Sequence, residues 1–418
     1  MSKGVMFLST LDFTDNGIQV VKLTPEYFAR KGWNVHYVVA RDNSKHGSCF
    51  YQNVVNPEGV VVHRFYMPSF WLGEQLENHI LKTIYSKLRS YFTIFRLAIV
   101  GYGVVKNNKI DVIYGGGPYG VLASGIIRLF CFRRRFVSVS RFYGVWDFCS
   151  NPVLWRKWLK LLLNIDVVIA MYLRSSRIIV TNDGSQGDKV IRFIRLSNNR
   201  FLRFFVNGVD ANCIDKSDLD NLKKTLNIGN TFSAVCVTRL VPPKRVDRCV
   251  KVAAAVVKTY GLNDFRLIIV GEGCERHRLE QMALDMDIGN NVVFVGSVDN
   301  KCVKNYLAIA DVFLSMYDVS NVGNPLLEAV RASKIIFTLN NGDTSVWIKH
   351  RENGFIYDVD DSMVDRMAHD IIELAGDPVL QGVIRTNIRI TEKEKLWTWN
   401  DRLQAELSEI DMLLESGC

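Results

Sequence analysis

Short apolar runs alternate with longer amphipathic segments along this chain, and the alternation occurs twice. The first series opens with an apolar run at residues 4–9, passes through a helical pattern that ends near Arg30, and returns to a strand at residues 34–39. The second series opens at residues 232–238, and apolar residues at helical spacing follow from Val246. Strands joined by helices pair in parallel and need cover on both faces. The pattern therefore predicts two doubly wound α/β domains.

Further apolar runs continue both series at intervals that suit strand–helix units. A long helical stretch is expected at residues 68–106. In the first half the alternation continues with predicted strands at residues 111–114, 136–140, 165–169, 177–181 and 204–206. In the second half the predicted strands lie at residues 266–270, 292–295, 311–315, 334–338 and 355–357.

The length of the chain also favours two domains. At 418 residues it is long for one hydrophobic core, since single cores stop growing beyond about 250–300 residues. We predict an N-terminal Rossmann-like domain at residues 1–206 and a C-terminal Rossmann-like domain from residue 207 to 395. The polar stretch at residues 207–226 marks the expected boundary.

Cysteine usage and apolar run lengths restrict the cellular location. The nine cysteines are scattered and form no CxxC pair, which is typical of free thiols in a reducing compartment and gives no zinc-site spacing. No signal peptide is expected at the N-terminus, and no apolar run reaches the roughly 20 residues of a membrane span. These features predict a cytoplasmic protein without a metal ion.

One part of the first half is strongly basic. Between Arg128 and Lys160 there are eight basic residues and one acid, Asp147, with nine aromatic residues interleaved. A basic and aromatic surface suits the anionic face of a membrane, so peripheral association with the inner face is one interpretation. The other is an ordinary solvated face over an aromatic core.

Open parallel sheets bind ligands beyond the carboxyl ends of their strands. The segment from Arg239 to Lys244 lies at such a place, and its two cations stand five positions apart where a helix is expected to begin. A helix N-terminus favours anions through its free N–H groups and its dipole. This segment predicts a clamp for a diphosphate, while two surface cations in a loop are the alternative.

A second segment combines a polar loop with the start of a helix. Its polar residues and its glycine offer side chains and backbone N–H groups to a phosphate or a sugar, and Glu328 lies about one turn into the helix. A carboxylate there has two oxygens that match the two hydroxyls of a ribose. The loop residues that we predict to contact this ligand are Ser320, Asn321, Gly323 and Asn324.

Taken together, the motifs resemble those of family 4 retaining glycosyltransferases, which have the GT-B fold. The stretches TRLVPPK, VGEG, VGSV and SNVGNPLLEA occur in this order in the second half, and the early NGIQ and the later FFVNGVD are also similar. The resemblance implies two Rossmann-like domains with an inter-domain cleft, the first on the acceptor side and the second binding a nucleotide-sugar donor. It also implies that residues 396–418 form a helix that returns to the first domain.

The resemblance assigns roles to individual residues. It implies that Arg239 and Lys244 hold the donor diphosphate as catalytic cations and that Glu328 holds the ribose. The other donor-binding residues that it implies are Gly17, Gly271, Ser297 and Val298.

Two positions depart from the family pattern. Ser320 stands where the family carries the first glutamate of its E-x7-E motif, and the sequence RFYG places Tyr143 where many members have a histidine. We expect Tyr143 to take the catalytic place of that histidine. The implied reaction is retaining transfer without a metal ion, onto a glycan or a lipid-linked acceptor in surface glycan synthesis.

Other functions fit parts of the sequence. A nucleotide-sugar epimerase of the same fold would also bind the donor, and a non-catalytic partner of another transferase would fit Ser320 and Tyr143. A nicotinamide dehydrogenase is excluded because no GxGxxG follows the first strand. Nucleic-acid binding would explain the net charge of +9, but no recognisable module accompanies it.

Overall fold

The computed structural model describes residues 2–14, 19–42, 53–67, 79–144, 158, 162–183, 191–196, 202–210, 216–229 and 231–416. These residues form two compact units, each built around a parallel β-sheet. The predicted α/β class with two Rossmann-like sheets is confirmed.

The first unit contains a seven-stranded parallel sheet in the order β3-β2-β1-β4-β5-β6-β7. Every strand pair within it is parallel. The strands are β1 Gly4–Ser9, β2 Asn34–Arg41, β3 Val60–Tyr66, β4 Val112–Gly116, β5 Val137–Phe142, β6 Arg177–Thr181 and β7 Leu202–Phe205. The helices described in this unit are α1 Gln19–Arg30, α2 His79–Asn107, α3 Gly117–Phe130 and α4 Ile165–Tyr172, together with α13 Trp399–Glu415 from the end of the chain.

The second unit contains a six-stranded parallel sheet in the order β10-β9-β8-β11-β12-β13. Its strands are β8 Ser233–Val237, β9 Arg266–Val270, β10 Val292–Gly296, β11 Val312–Ser315, β12 Ile335–Leu339 and β13 Phe355–Tyr357. Its helices are α5 Lys216–Thr225, α6 Val246–Ala254, α7 Arg276–Asp285, α8 Val303–Ile309, α9 Asn324–Arg331, α10 Thr344–Trp347, α11 Met363–Gly376 and α12 Pro378–Lys395.

The contacts divide the chain close to the predicted bounds, with differences of a few residues. The second unit begins at Val206 and continues to Trp399, and it also includes Asp183. The first unit takes up the chain again at Asn400, so nearly all of α13 belongs to it.

One prediction for the first sheet was wrong, and one of its strands was not predicted. Residues 165–169 form helix α4 rather than a strand, because the buried residues of α4 recur at helical spacing, namely Asp166, Val167, Ala170 and Met171. Strand β3 was missed, since it lies at the edge of the sheet and is only partly buried along its length. A short apolar run does not by itself distinguish a buried strand from a helix turn.

Helix α2 has two apolar faces. By length and composition its stretch Leu81–Asn107 is able to cross a membrane. One face packs into the core of the first unit through residues such as Ile94, Leu97 and Val105. The opposite face exposes large apolar side chains instead of the polar residues that usually cover a surface helix. The buried face shows that α2 is a packed element of this domain.

Helix α13 covers the first sheet at several points. Tyr27 donates a hydrogen bond to Gln404 at 2.7 Å, and the Lys3 ammonium lies 2.6 Å from the Asp411 carboxylate. The Tyr114 hydroxyl, from the central strand β4, donates to buried Glu406. The last helix is therefore an integral part of the first unit.

Gly120 brings α3 into direct contact with strand β1. A Cβ atom at this position would lie 2.1 Å from the Leu8 carbonyl oxygen, whereas a Cβ at Gly103 in α2 would meet nothing within 4 Å. We expect Gly120→Ala to lower the free energy of unfolding by about 1–3 kcal/mol, because backbone must move. Gly103→Ala should raise it by about 0.5–1 kcal/mol, since alanine is the better helix residue. Urea unfolding of both variants measures this, and equal effects would contradict the packing.

Candidate functional site

Arg239 and Lys244 lie in the segment that joins β8 to α6. The strand ends at Val237, and a short 3-10 turn, Pro242–Lys244, precedes the helix. Arg245 follows with a left-handed backbone, φ 47°. Lys244 is thus in the 3-10 turn rather than in the first turn of the helix that we expected. Arg239 is exposed and Lys244 is half-buried.

Neither cation has a carboxylate partner in a salt bridge within the described part of the chain. The Lys244 ammonium lies 3.7 Å from the centre of the Tyr317 ring, which is a cation–π contact. Burial and then the charge of Arg239 lower the pKa of Lys244 to about 8, although Cys236 and Asp183 partly oppose the shift. Two neighbouring cations at a strand's carboxyl end, neither in a salt bridge with a described residue, form a site that an anion would stabilise.

Gly271 and Gly273 hold this segment in place. A Cβ at Gly271 would lie 1.8 Å from the Thr238 carbonyl oxygen, and one at Gly273 would lie 2.2 Å from the Leu240 oxygen. Both glycines have positive φ angles, 143° and 158°. The Leu240 amide donates to the Glu272 carbonyl at 2.9 Å. The loops after β8 and β9 thus interlock, and the predicted contact of Gly271 with a donor stays a prediction.

Asn321 anchors the loop between β11 and α9. Its Oδ1 accepts hydrogen bonds from the Ser315 hydroxyl at 2.8 Å and from the Tyr317 amide at 2.9 Å. Its Nδ2 donates to Asn341 at 2.7 Å, and the residue is fully buried. These contacts occupy the side chain of Asn321, which leaves its backbone to meet any donor.

Ser320 and Asn324 also have partners within the second unit. The Ser320 hydroxyl donates to the Asp183 carbonyl at 3.2 Å and accepts from the Val322 amide at 3.2 Å. Asn207 donates to Asn324 Oδ1 at 2.8 Å. Both side chains are partly exposed. Their roles toward a donor remain predictions.

Helix α9 begins after Gly323 and carries Glu328 one turn further on. Burial raises the pKa of the Glu328 carboxyl to about 7, and no neighbouring positive charge offsets this. A half-buried carboxyl group with a raised pKa and no cation beside it among the described residues has no evident structural use. Groups with strongly shifted pKa values concentrate at functional sites. The first amides of α9 have no partner within the helix, as at any helix start.

The remaining predicted residues lie at other strand ends. Ser297 follows β10 and is exposed, and Val298 is half-buried. Tyr143 follows β5 in the first unit, and burial raises the pKa of its hydroxyl while the Arg141 charge opposes the shift. Gly17 lies outside the described residues. The predicted roles of these four residues stay predictions, as does the cleft between the domains.

One group of metal-ligand side chains is present among the described residues, on helix α11: His369, Asp370 and Glu373. Asp370 accepts hydrogen bonds from Tyr357 at 2.6 Å and from Arg351 at 3.0 Å. Arg351 also pairs with Glu373. These carboxylates serve the packing of α11, so the cluster offers no support for a metal centre.

Several residues at the strand ends were missed by the sequence analysis. Tyr317 lies against Lys244 and donates to the Val237 carbonyl at 3.2 Å. Arg141 and Arg402 are both fully buried. A charged residue inside an apolar strand such as VSVSRF is a signal that could have identified Arg141.

Part of the second unit is similar in sequence to known glycosyltransferases. Residues 218–391 match the family model of glycosyl transferases group 1. The GDP-mannose-dependent alpha-(1-6)-phosphatidylinositol monomannoside mannosyltransferase of Mycobacterium tuberculosis is 29% identical over 185 residues, 42% of this chain and 47% of that protein. The alpha-monoglucosyldiacylglycerol synthase of Acholeplasma laidlawii is 24% identical over 208 residues, 48% and 51%. The matches thus span about half the length of these curated relatives.

Solved structures resemble nearly the whole chain. Anabaena HepE in complex with UDP has a TM-score of 0.69 at 16% identity, covering 99% of this chain and 100% of that one. WaaG, a glycosyltransferase involved in lipopolysaccharide biosynthesis, has a TM-score of 0.63 at 14% identity, covering 97% and 99%. The fold is therefore the GT-B fold of these glycosyltransferases. The chain thus has the GT-B fold, and the segment that matches the glycosyl transferases group 1 model lies within its second unit.

The raised pKa of Glu328 makes stability depend on pH. Its pKa is about 7 in the folded chain and near 4.5 when exposed, so folding disfavours the ionised form and stability falls as pH rises from about 5 to 7. Glu328→Gln removes this effect. We expect the melting temperature of the variant, relative to the native chain, to be higher at pH 8 than at pH 5. Glu394→Gln, at an exposed carboxylate of α12, is the control, and a pH-independent difference for Glu328→Gln would contradict the assignment.

Proposed function

We propose that this protein is a retaining glycosyltransferase, which moves a sugar from a nucleotide-diphosphate sugar to an acceptor in surface glycan or polysaccharide synthesis. The proposal is carried by Arg239 and Lys244, which form no salt bridge with any described residue. Their segment contacts the loop that leads to the helix bearing Glu328. The family match over residues 218–391 and the UDP bound to the structural neighbour HepE support a nucleotide as the ligand.

In the proposed complex the diphosphate lies against Arg239 and Lys244. The planar fork of Arg239 suits two phosphate oxygens, and Lys244 acts as a point charge. An anion near Lys244 would return its pKa from about 8 toward the ordinary value, since opposite charge favours the protonated form. Both cations would then be fully charged while the ligand is bound.

Glu328 would bind the ribose of the donor. Ionised, its two oxygens accept hydrogen bonds from two neighbouring hydroxyls. A pKa near 7 means that about half of the carboxyl groups hold a proton at neutral pH in the free chain. Hydrogen bonds to the charged form would lower that pKa. We therefore expect donor affinity to rise between pH 6 and 8 on account of Glu328.

The chemistry needs stabilisation of a leaving group. The bond from the anomeric carbon to the diphosphate oxygen breaks, and negative charge grows on the diphosphate as it departs. Fixed cations that meet this growing charge lower the barrier. The acceptor hydroxyl forms the new bond on the same face of the sugar and gives its proton to the departing diphosphate. We propose that no metal takes part and that Tyr143 lies near the reacting sugar.

Two other functions remain as alternatives. A nucleotide-sugar epimerase would need the same donor contacts but no acceptor. A non-catalytic partner would explain a serine at position 320, where the family carries a carboxylate, and a tyrosine at position 143. Sugar transfer to an added acceptor separates the proposal from both.

The first test removes the two cations one at a time. We expect Arg239→Ala and Lys244→Ala to lower the rate of sugar transfer by roughly tenfold to a thousandfold each, by comparison with loss of single electrostatic donors in other enzymes. UDP-glucose is the first donor for the assay, because a structural neighbour was solved with it. The two phosphates of UDP-glucose carry a constant charge near neutral pH. A change of its calorimetric affinity with pH therefore comes from the titration of protein side chains.

Lys251→Ala is the control for these variants, since Lys251 is an exposed cation on helix α6, which follows the segment of Arg239 and Lys244. It should keep native affinity and rate. Native transfer rates in both Arg239→Ala and Lys244→Ala would overturn the proposed clamp.

We also propose that the first unit docks on an anionic membrane surface. The support comes from one exposed face of α2, which we call the α2 stripe. Its apolar residues recur at intervals of three or four, apart from the adjacent Tyr91 and Phe92, and all are at least 39% exposed. They are Leu81, Ile84, Leu88, Tyr91, Phe92, Phe95, Ile99 and Tyr102.

Charge favours a membrane as the occupant of the α2 stripe. From Leu81 to Asn107 the helix has five basic residues and no acidic one. Exposed Arg133, Arg134 and Arg135 follow beside Phe130, whose ring centre lies 6.5 Å from that of Tyr102. An apolar stripe flanked by cations is the pattern of a helix that lies in a membrane interface. Much of the basic stretch up to Lys160 lies outside the described residues.

Two relatives support a lipid acceptor. The names of those two enzymes include the lipids phosphatidylinositol monomannoside and diacylglycerol. Docking through α2 would bring this chain to the surface where such an acceptor lies, on the cytoplasmic side.

The membrane proposal is tested with vesicles. We expect the native chain to sediment with vesicles that contain anionic phospholipid, more at low salt than at high salt. The double variant Leu88→Ser, Phe95→Ser should bind at least about tenfold more weakly, since each exposed side chain contributes roughly 1.5–3 kcal/mol when buried. Val379→Ser with Val383→Ser, at exposed positions on α12, is the control. Failure of the native chain to bind at low salt would contradict the proposal.

A further inference from the structure

Arg141 is a buried cation with unmet donors. It lies near the end of β5 and is 1% exposed. One terminal nitrogen, Nη2, donates to the Thr181 hydroxyl at 2.7 Å. Its Nε and Nη1 are buried without a hydrogen-bond partner. A guanidinium has five N–H donors and remains charged, so leaving these groups dry and unpaired is strongly unfavourable.

Arg402 is a second buried cation beside the first. It lies in the opening turn of α13, is fully buried, and stacks on Phe205 with 4.5 Å from Cζ to the ring centre. Thr181 and Phe205 are paired neighbours at the ends of β6 and β7. The two guanidiniums therefore lie together at the carboxyl end of the first sheet, and Arg402 also has two buried nitrogens, Nε and Nη2, without a partner.

The charges of this pair are not balanced. Arg402 Nη1 donates to Glu406 at 2.6 Å, and Tyr114 donates to the same carboxyl group. Among the described residues, Glu406 is the one carboxylate seen to contact this pair, and it contacts Arg402. A single carboxylate can neutralise at most one of the two arginines. Burial lowers the pKa of Arg141 to about 10, and burial and then the Arg141 charge lower the pKa of Arg402. An anion would remove both penalties.

We propose that Arg141 and Arg402 bind a phosphate group at the carboxyl end of the first sheet. Planar guanidinium forks match phosphate oxygens, and the free nitrogens supply four donor positions for them. Open α/β sheets take their ligands at this edge. The phosphate is a substituent of the acceptor or a free ion; in the first case the inference rests on the proposed transferase function and names the acceptor as a phosphate ester.

Arg203 shows how a structural arginine on the same sheet is satisfied. Its Nε lies 2.9 Å from Glu409 on α13, and its Nη1 donates to the Leu202 carbonyl at 3.0 Å. It therefore serves as a matched control, because its replacement removes one positive charge from the same sheet without touching the proposed site.

The test is calorimetric titration of inorganic phosphate and of methyl phosphate at fixed ionic strength. All proteins carry Lys244→Ala, which removes the proposed donor site as a competing anion site. We expect binding by this background and by its Arg203→Leu form, and a loss of at least about tenfold in its Arg141→Leu form, as for a hydrogen bond to a charged group. Arg141→Leu should also keep or raise the melting temperature without phosphate, because it removes an unpaired buried charge.

Binding of both ligands assigns the site to a phosphate ester, and binding of inorganic phosphate alone assigns it to the free ion. Absence of binding, or equal binding by the Arg141→Leu and Arg203→Leu forms, overturns the inference. If Arg141→Leu does not fold, Arg141→Lys replaces it, because lysine keeps the charge and loses the planar fork. Unchanged phosphate affinity in Arg141→Lys would then overturn the inference. UDP-glucose affinity of Arg141→Leu with native Lys244 is measured separately, so failure of the phosphate site leaves the donor proposal intact.

Discussion

Close contact between the loops after β8 and β9 is the constraint on which the candidate donor site depends. The Leu240 amide bonds to the Glu272 carbonyl, and this distance is reached only because Gly271 and Gly273 have no side chain. That contact fixes the path of the chain from the end of β8 to the 3-10 turn. Without it, neither Arg239 nor Lys244 would have a defined place, and a diphosphate would meet a mobile pair of cations instead of a formed site.

The candidate donor site also depends on Asn321, whose buried side chain holds the loop between β11 and α9 in place. A single buried amide joins the end of β11, the loop itself and Asn341. Its bonds hold the loop that leads into α9, and through it the position of Glu328. The side chains that we expect to contact a donor are thus positioned by residues whose own polar groups form hydrogen bonds inside the protein. A polar residue in this loop can therefore serve the structure of the site without contacting the ligand.

Much of the fold could be predicted from the sequence, because the spacing of apolar residues and the positions of glycines are local signals. They gave both sheets and nearly all strand positions of the second unit. The errors have physical causes: β3 is a half-exposed edge strand, and the run at residues 165–169 is too short to separate helix from strand. The positions of Arg239 after strand β8 and of Glu328 one turn into helix α9 were predictable from the sequence, because both follow from local patterns. The pairing of Arg141 with Arg402 was not, since it depends on a contact between residues 261 positions apart in the sequence.

Helix α13 has a consequence for the order in which the chain acquires its structure during synthesis. Domains generally fold as units, the N-terminal one first. Here the first sheet takes its cover from the last helix: Lys3 pairs with Asp411, Tyr27 with Gln404 and Tyr114 with Glu406. Translation at about 5–20 residues per second leaves that face of the sheet uncovered for tens of seconds, while the whole second domain emerges from the ribosome. The polar groups that bond to α13, Lys3, Tyr27 and Tyr114, then have a use during assembly, because polar positions on an otherwise apolar face make a waiting surface less prone to aggregate.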